Sequence, residues 1–291
     1  MSKQVRIGGP VFTPADTPEQ FVRHLQEQGF AATYHPHFAD PVLLGEAVAA
    51  LAEADIVIAE TGAFGINVLD PDAGQRDRNI AEICRRLESA EHIGSLCCVA
   101  HGGWAGSNSF NKHYPENFSA RSVDNLVAAV QRIIDTVQPR RTKFVLETES
   151  RYLPDSADLY LEILQAVDRP AFGAHLDPVN ITSSPRRFYR SGDFIRDCFA
   201  KLGPHLVSCH AKDTQMPRHV QVRFDETFAG NGSLDYHAYF TELAKLDADV
   251  PLMIEHVNAR QLRWATDYLF EQAAGAGVAI RHADRRVTAS A

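Results

Sequence analysis

Short apolar runs alternate with amphipathic stretches along the whole chain. The apolar runs are rich in β-branched residues, which is typical of buried strands. They read "QVRIGG", "AATYHP", "DIVIAE", "GSLCCVAH", "KFVLETE", "AFGAHLD", "HLVSCHAK" and "PLMIEHV". The stretches that follow them have helical spacing, and many open on Ser, Thr, Asp or Asn, which cap the free N–H groups of a helix start. Predicted helices begin near Thr17, Pro41, Asp72, Ser119, Ser156, Ser191, Asp235 and Asn258.

Eight strand–helix units in succession predict an α/β fold of the (β/α)8 TIM barrel type. A doubly wound parallel sheet is the alternative, but no glycine-rich fingerprint follows the first strand. No linker rich in Pro, Gly or Ser interrupts the pattern. We therefore expect a single domain over residues 1–291, with a loose C-terminal tail from about residue 280.

Composition narrows the range of partners. Hydrophobic residues make up 45% of the chain and charged residues 23%, which is ordinary for a soluble globular protein. The net charge of −8 disfavours nucleic acid. The sequence lacks a membrane-length apolar run and an apolar leader, so we expect a cytoplasmic protein without membrane contact. Five irregularly spaced cysteines without a CxxC pair predict buried thiols and not a disulfide framework or a cysteine zinc site.

Polar residues end most of the later strands, and in a barrel these ends build the active site. Four consecutive strands end in Glu147, Asp177, His210 and Glu255. Burying three carboxylates side by side is costly unless a cation balances them. Three oxygen donors and one imidazole suit Mn²⁺, Mg²⁺, Co²⁺ or a catalytic Zn²⁺. The pattern therefore predicts one divalent metal ion held by these four residues.

Further polar residues near the same ends are candidates for chemistry or binding. His101 could exchange a proton near neutral pH, and Lys212 could polarise an oxygen or form an ion pair with Asp213 or Glu255. His175 and Asn180 flank Asp177 and are candidate substrate contacts, although His175 could instead point into the barrel as a hydrogen-bond donor. His256 should point away from the site because strand side chains alternate.

Two long loops should lie over the barrel mouth. The loop after strand 4 carries Trp104, Phe110, Tyr114 and Phe118. The loop after strand 6, "SSPRRFYRSG", carries Arg186 and Phe188 among other aromatic and basic residues. Aromatic faces stack on sugars or flat aglycones, and arginines bind phosphate or carboxylate. We predict that Trp104, Arg186 and Phe188 contact substrate; packing of a lid or a subunit contact is the alternative.

The motifs "VLETE", "GAHLDPVN", "VSCHAKD", "AGNGSLDY" and "MIEHV" resemble the sugar phosphate isomerase/epimerase superfamily of xylose isomerase-like barrels. The resemblance covers strands 5 to 8 in detail and the N-terminal half in pattern. It implies that Glu147, Asp177, His210 and Glu255 hold one divalent metal ion, for which we expect Mn²⁺ first. It also implies that Glu147 and Glu255 move the substrate proton.

The sequence departs from the ketose 3-epimerases of that superfamily. Leu153 stands six residues past Glu147, where those enzymes have a sugar-binding glutamate, and Asn180 stands three past Asp177, where they have a histidine. Endonuclease IV-type repair enzymes share the barrel, but they need three zinc ions, more histidines and one at the position of Asn180. The resemblance therefore argues against a plain free-ketose epimerase and against a nuclease.

Three functions stay open at this point. The first is a metal-dependent sugar isomerase or epimerase that abstracts a proton beside a carbonyl and passes through a metal-stabilised enediolate. The second is a lyase that cleaves 3-oxo-glycosides, including C-glycosides, by β-elimination. The third is a sugar-binding barrel without catalysis. The resemblance also implies a homo-oligomer or a complex with a small partner subunit, and a carbohydrate substrate.

Overall fold

The computed structural model describes residues 4–106 and 114–284. Within these residues the strands are β1 Gln4–Gly9, β2 Ala32–Tyr34, β3 Val57–Ala63, β4 Cys97–Ala100, β5 Lys143–Glu147, β6 Phe172–Leu176, β7 Leu206–Ala211, β8 Asp213–Gln215, β9 Asp225–Thr227, β10 Leu252–Ile254 and β11 Ala279–Arg281. Strands β1 to β7 and β10 are parallel neighbours in that order, and β10 pairs with β1. This closed eight-stranded barrel confirms the predicted fold.

Helices connect consecutive barrel strands. They are α1 Pro18–Glu27, α2 Pro41–Glu53, α3 Ala73–Ile93, α4 Ala120–Val137, α5 Ala157–Val167, α6 Pro185–Tyr189, α7 Ser191–Leu202, α8 Tyr236–Leu243 and α9 Ala259–Gly275. Each predicted start is found at or next to the residue expected. Thr17, Ser119 and Asp235, for example, accept hydrogen bonds from the first turn of their helices. In the described parts of the chain, no helix is both long and apolar enough to cross a bilayer.

The core lies inside the barrel and between the barrel and its helices. In α4 the apolar residues at helical spacing face the barrel, and Leu126 and Ile133 are fully buried. All five cysteines are free and buried, as expected from their spacing. The helices therefore cover the strands as the periodicity indicated.

Three features differ from the expectations. Strand β3 does not end at Glu60 but continues to Ala63, so Glu60 lies within the strand. The loop after β7 contains the antiparallel ribbon of β8 and β9, which the sequence did not reveal. Ala279–Arg281 pairs with β1, so the first residues of the predicted loose tail belong to the sheet. Residues 285–291, and Phe110 in the loop after β4, lie outside the described part of the chain.

Candidate metal centre

The four predicted ligands meet at the C-terminal mouth of the barrel. One candidate donor atom from each of Glu147, Asp177, His210 and Glu255 lies within 4.8 Å of all the others. The Nδ1 atom of His210 is 3.0 Å from Oε1 of Glu147, 3.4 Å from Oδ2 of Asp177 and 2.9 Å from Oε1 of Glu255. Three carboxylates, at the ends of β5, β6 and β10, thus lie close to one imidazole nitrogen, which β7 supplies.

Glu60 holds this imidazole from below. Its Oε2 lies 3.2 Å from Nε2 of His210, and its Oε1 lies 3.0 Å from Nε2 of His175. The hydroxyl of Ser208 donates to the same carboxylate. With Nε2–H donating to Glu60, the Nδ1 atom of His210 is left to face the three carboxylates. Glu60 was not among the predicted site residues, and only its position in the apolar run of strand 3 could have pointed to it.

The charges of the cluster are strongly coupled. Burial by itself would lower the pKa of His210, but Glu255 and Glu60 outweigh it and raise that pKa well above its usual value. Burial would likewise lower the pKa of Lys212, yet Asp177 and Glu255 raise it well above the ordinary lysine value. The positive charges of His210 and Lys212 therefore balance the carboxylates in this arrangement.

The donor atoms fit a divalent cation. Oδ1 of Asp177 accepts the backbone N–H groups of Val179 and Asn180, which fixes the carboxylate and turns Oδ2 toward the cluster. That Oδ2, and Oε1 of Glu255, are buried and have no well-aligned hydrogen-bond donor. Oxygen atoms placed in this way suit Mn²⁺ or Mg²⁺. A metal ligand must be unprotonated, so a cation here would replace the proton on Nδ1 of His210.

Lys212 and Glu226 form a second layer of charge beside the cluster. The Nζ atom of Lys212 lies 2.9 Å from Oδ2 of Asp177, 2.7 Å from Oε1 of Glu255 and 3.0 Å from Oε2 of Glu226. The predicted ion pair of Lys212 with Glu255 is present. Asp213 is not part of it, because its oxygens accept backbone N–H groups of the following loop. Glu226, on β9, was missed because no periodic pattern marks that ribbon.

His256 lies at the mouth, contrary to expectation. Its Nδ1 is 2.6 Å from Oε1 of Glu226, and its Nε2 is 3.6 Å from Oε2 of Glu255. The prediction that it points away was wrong because the strand ends before it. Its φ of 51° lies in the left-handed region, which breaks the alternation of strand side chains.

Glu147 has contacts of its own on the other side of the centre. The Nε2 atom of His101 lies 3.7 Å from Oε2 of Glu147, and burial lowers the pKa of His101 to about 4, so its ring is neutral at pH 7. The side-chain amide of Asn180 donates to Oε1 of Glu147 at 3.0 Å. Glu147 and Glu255 therefore each place one oxygen at His210 and the other beside a different histidine.

The predicted substrate residues are more widely separated than the four predicted metal ligands. His175 is fully buried beneath the cluster and bonded to Glu60, in line with the alternative of a donor inside the barrel. Trp104 is buried and packs against Tyr152, whose ring also contacts His101. Phe188 is buried on α6 against Tyr189 and Phe224, and Arg186 is exposed on the same helix. Among the described contacts, Asn180 donates to the predicted ligand Glu147, and the ring of His175 packs edge-on against the ring of the predicted ligand His210, at 4.2 Å between centroids.

Comparisons with known proteins agree with this architecture. A family model described as xylose isomerase-like TIM barrel matches residues 11–282. A xylose isomerase domain protein from Planctomyces limnophilus superposes with a TM-score of 0.65 at 20% identity, over 95% of this chain and 99% of that one. A xylose isomerase-like TIM barrel protein from Mycobacterium smegmatis, in complex with magnesium, gives a TM-score of 0.63 at 14% identity, over 94% and 97% of the two chains.

A third solved structure is a 3-keto-D-glucoside 4-epimerase from E. coli. It superposes with a TM-score of 0.64 at 18% identity and covers 93% of this chain and 100% of that one. At these identities the likeness concerns the fold. No curated protein sequence matches this chain.

Proposed function

Because the chain belongs to the xylose isomerase-like TIM barrel family, we propose that it is a divalent-metal-dependent sugar isomerase or epimerase. The observation that carries the proposal is the convergence of Glu147, Asp177 and Glu255 on Nδ1 of His210, with Glu60 fixing the other ring nitrogen. Four donors with this chemistry suit Mn²⁺, with Mg²⁺, Co²⁺ or Zn²⁺ as alternatives. The magnesium complex of the M. smegmatis neighbour supports a hard divalent ion in such barrels.

When bound, the cation would act as a Lewis acid toward the substrate carbonyl and the hydroxyl beside it. Glu147 and Glu255 supply the proton chemistry, since each has one oxygen directed away from His210. One carboxylate accepts the proton from the carbon beside the carbonyl, and the electron pair moves to the carbonyl oxygen. In an isomerase, the neighbouring hydroxyl passes its proton to the former carbonyl oxygen and the former carbonyl carbon takes up a proton, so the carbonyl moves by one carbon. In an epimerase, the proton returns to the other face of the carbon that lost it.

Other residues of the chain hold this arrangement in place. Asn180 donates to Glu147 and keeps its carboxylate oriented. Lys212 lies within 3.0 Å of three carboxylates, one for each of its N–H donors, and its buried charge keeps Asp177 and Glu255 ionised. Because His101 is neutral at pH 7, it suits a hydrogen bond to the substrate better than the donation of a proton as an imidazolium.

A lyase on 3-oxo-glycosides is the second candidate. It would begin with the same proton abstraction, after which the electron pair expels the aglycone from the carbon β to the carbonyl. The E. coli neighbour, named as an epimerase of a 3-keto-D-glucoside, supports a 3-oxo sugar as a substrate for barrels of this shape. The absence of the ketose-epimerase pattern at Leu153 and Asn180 points the same way.

Deuterium exchange separates these candidates. The Mn²⁺-loaded protein is incubated in D₂O with free ketoses and with 3-oxo-glucosides, and products are followed by NMR. Deuterium in an interconverted sugar supports an isomerase or epimerase, and release of an aglycone supports the lyase. Glu147→Gln and Glu255→Gln should abolish either reaction while leaving the fold intact, which circular dichroism checks. Full activity in both variants would rule out the proposed proton chemistry.

A further inference from the structure

A cleft of about 560 Å³ opens beside the four-ligand cluster. Its inner end is formed by Asn180, which is bonded to Glu147, and by Glu226, which is bonded to Lys212. It runs outward between the loop after β6 and the ribbon of β8 and β9. Asn180 touches the ligand Glu147, and Glu226 touches Lys212, which in turn contacts Asp177 and Glu255. The cleft therefore adjoins the cluster, and a molecule bound at the cluster can extend into it.

The size of the cleft exceeds what a single sugar ring needs. Its volume lies within the range of roughly 300–1,000 Å³ that is usual for sites of drug-sized ligands. A free monosaccharide held at the cluster would leave the outer part unfilled. The cleft therefore indicates a substrate with a second group attached to its sugar.

The walls define the chemistry of that group. One side presents the apolar surfaces of Val179 and Pro185, and the other presents Val222 and Phe224. Val222 is 60% exposed, so its surface is available for contact. The ring of Phe224 is supported from behind by Phe188, at 5.9 Å between centroids. Apolar side chains on both sides of the slot, set among polar ones such as Thr182 and Ser183, suit a flat and partly apolar group.

The charges of the cleft disfavour a phosphate. Two arginines line it, but each is already paired with a carboxylate. The guanidinium of Arg151 lies 2.6 Å from Glu149, and Arg223 binds Asp225 through two contacts of 2.6 and 2.7 Å. A phosphate would have to displace these carboxylates and would also face Glu226. Among the described lining residues, the positive charges are thus balanced by neighbouring acids.

We propose that this cleft is the subsite for a neutral, partly apolar substituent, so that the substrate class is a glycoside with an aromatic or similarly flat aglycone and not a free or phosphorylated monosaccharide. The proposal rests on the proposed function, since it assumes that the sugar ring binds at the metal cluster. It also gives Phe188 a role different from the predicted one, as the support of Phe224.

Calorimetry on the Mn²⁺-loaded protein tests the subsite. The probes are 4-nitrophenyl β-D-glucopyranoside, methyl β-D-glucopyranoside and glucose 6-phosphate. The nitrophenyl glucoside should bind about tenfold more tightly than the methyl glucoside, as expected for an aromatic group between apolar walls. Equal affinity for the two glucosides, tighter binding of glucose 6-phosphate, or no binding of any probe would overturn the proposal.

Two valines of one loop provide a matched pair of variants. Val222 lines the cleft, whereas the fully exposed Val220 does not belong to its lining. Val222→Trp should fill the slot and remove the preference for the nitrophenyl glucoside, and Val220→Trp should retain it. Ser183→Trp, from the opposite side, serves as a second blocking variant should Val222→Trp fail to fold. An equal loss in the blocking and the control variants would contradict the subsite.

A separate measurement of Mn²⁺ binding distinguishes failure of the subsite from failure of the proposed function. The Val222→Trp variant should still bind Mn²⁺ as the wild type does, because Val222 is not a ligand. If the wild type failed to bind Mn²⁺ yet kept its preference for the nitrophenyl glucoside, the proposed function would fail and the subsite would stand. If Mn²⁺ bound and no preference existed, the subsite alone would fail.

Discussion

The Nε2 atom of His210 lies 3.2 Å from Oε2 of Glu60, and both side chains are buried. This contact occupies Nε2, so Nδ1 is the ring nitrogen that faces the barrel mouth. A carboxylate that accepts the N–H of a ligand histidine fixes its tautomer and orientation, and its loss typically weakens metal binding by a factor of about 10–100. Glu60 is thus part of the proposed metal centre although it is not itself one of the four predicted ligands.

Replacing Glu60 tests this relationship. Glu60→Gln should lower the affinity for Mn²⁺ by about 10–100-fold, because the amide accepts the Nε2–H of His210 more weakly than a carboxylate. The matched control is Glu149→Gln, which removes another buried acid of the same region that is paired with Arg151. Mn²⁺ titration followed by electron paramagnetic resonance measures both variants. Equal affinities in Glu60→Gln and wild type would remove Glu60 from the metal centre.

Lys212→Met should make folding depend on the metal. The buried ammonium of Lys212 balances Asp177 and Glu255, and removing one partner of a buried ion pair costs about 3–5 kcal/mol. Urea unfolding in the presence of EDTA should show this loss, and added Mn²⁺ should recover much of it, since a cation stabilises the form that binds it.

The control for this experiment is Lys245→Met. Lys245 is exposed and pairs with Glu242 on the surface, where an ion pair contributes less than about 1 kcal/mol. The Lys245→Met variant should therefore be about as stable as the wild type, both in EDTA and with added Mn²⁺. An equal stabilisation of wild type and Lys212→Met by Mn²⁺ would count against charge balance by Lys212.

Asp55, at the opposite end of the barrel, makes a pH-dependent contribution to the stability of the fold. Burial alone would raise its pKa, but hydrogen bonds from Arg6 and Arg281 outweigh burial and lower that pKa below its ordinary value. A carboxyl group with a lowered pKa stabilises the fold above its unfolded pKa, and this stabilisation is lost as the pH falls through the folded value. Asp55→Asn should therefore lower the melting temperature at pH 7, and the difference from wild type should shrink below about pH 4.

The exposed pair of Asp77 and Arg132 gives the comparison for this measurement. Asp77→Asn should change the melting temperature less than Asp55→Asn at pH 7, because solvent screens a fully exposed pair. A difference between Asp55→Asn and wild type that stays constant from pH 7 to pH 3 would show that the charge of Asp55 is not the stabilising feature.

The barrel and the meeting of the four candidate ligands could be predicted because both follow from regular spacing. Parallel strands bring their C-terminal ends to one mouth of the barrel. A polar residue at the end of a predicted strand can therefore be placed at that mouth from the sequence alone. Glu147, Asp177, His210 and Glu255 fall at such ends in four successive units. The caps of Thr17 and Ser119 likewise mark where helices begin.

The remaining site residues depend on irregular backbone. Glu60 was passed over because the sequence does not show that β3 continues three residues beyond it, which places its carboxylate inside the barrel beside His210 and His175. His256 reaches the mouth through a left-handed backbone conformation that no periodicity encodes. Glu226 lies on a three-residue strand whose sequence, "DET", lacks apolar alternation. Local geometry, and not residue type, brings these three side chains to the cluster.

Mn²⁺ binding to the wild type and to Asp177→Asn, measured by equilibrium dialysis, tests the central claim most directly. The account predicts one Mn²⁺ per wild-type chain and a loss of affinity of more than about 100-fold in Asp177→Asn, beyond the cost of losing an outer hydrogen-bonding partner. Glu149→Gln should bind as the wild type does. Binding that is absent from the wild type, or unchanged by Asp177→Asn, would contradict a metal centre at the barrel mouth.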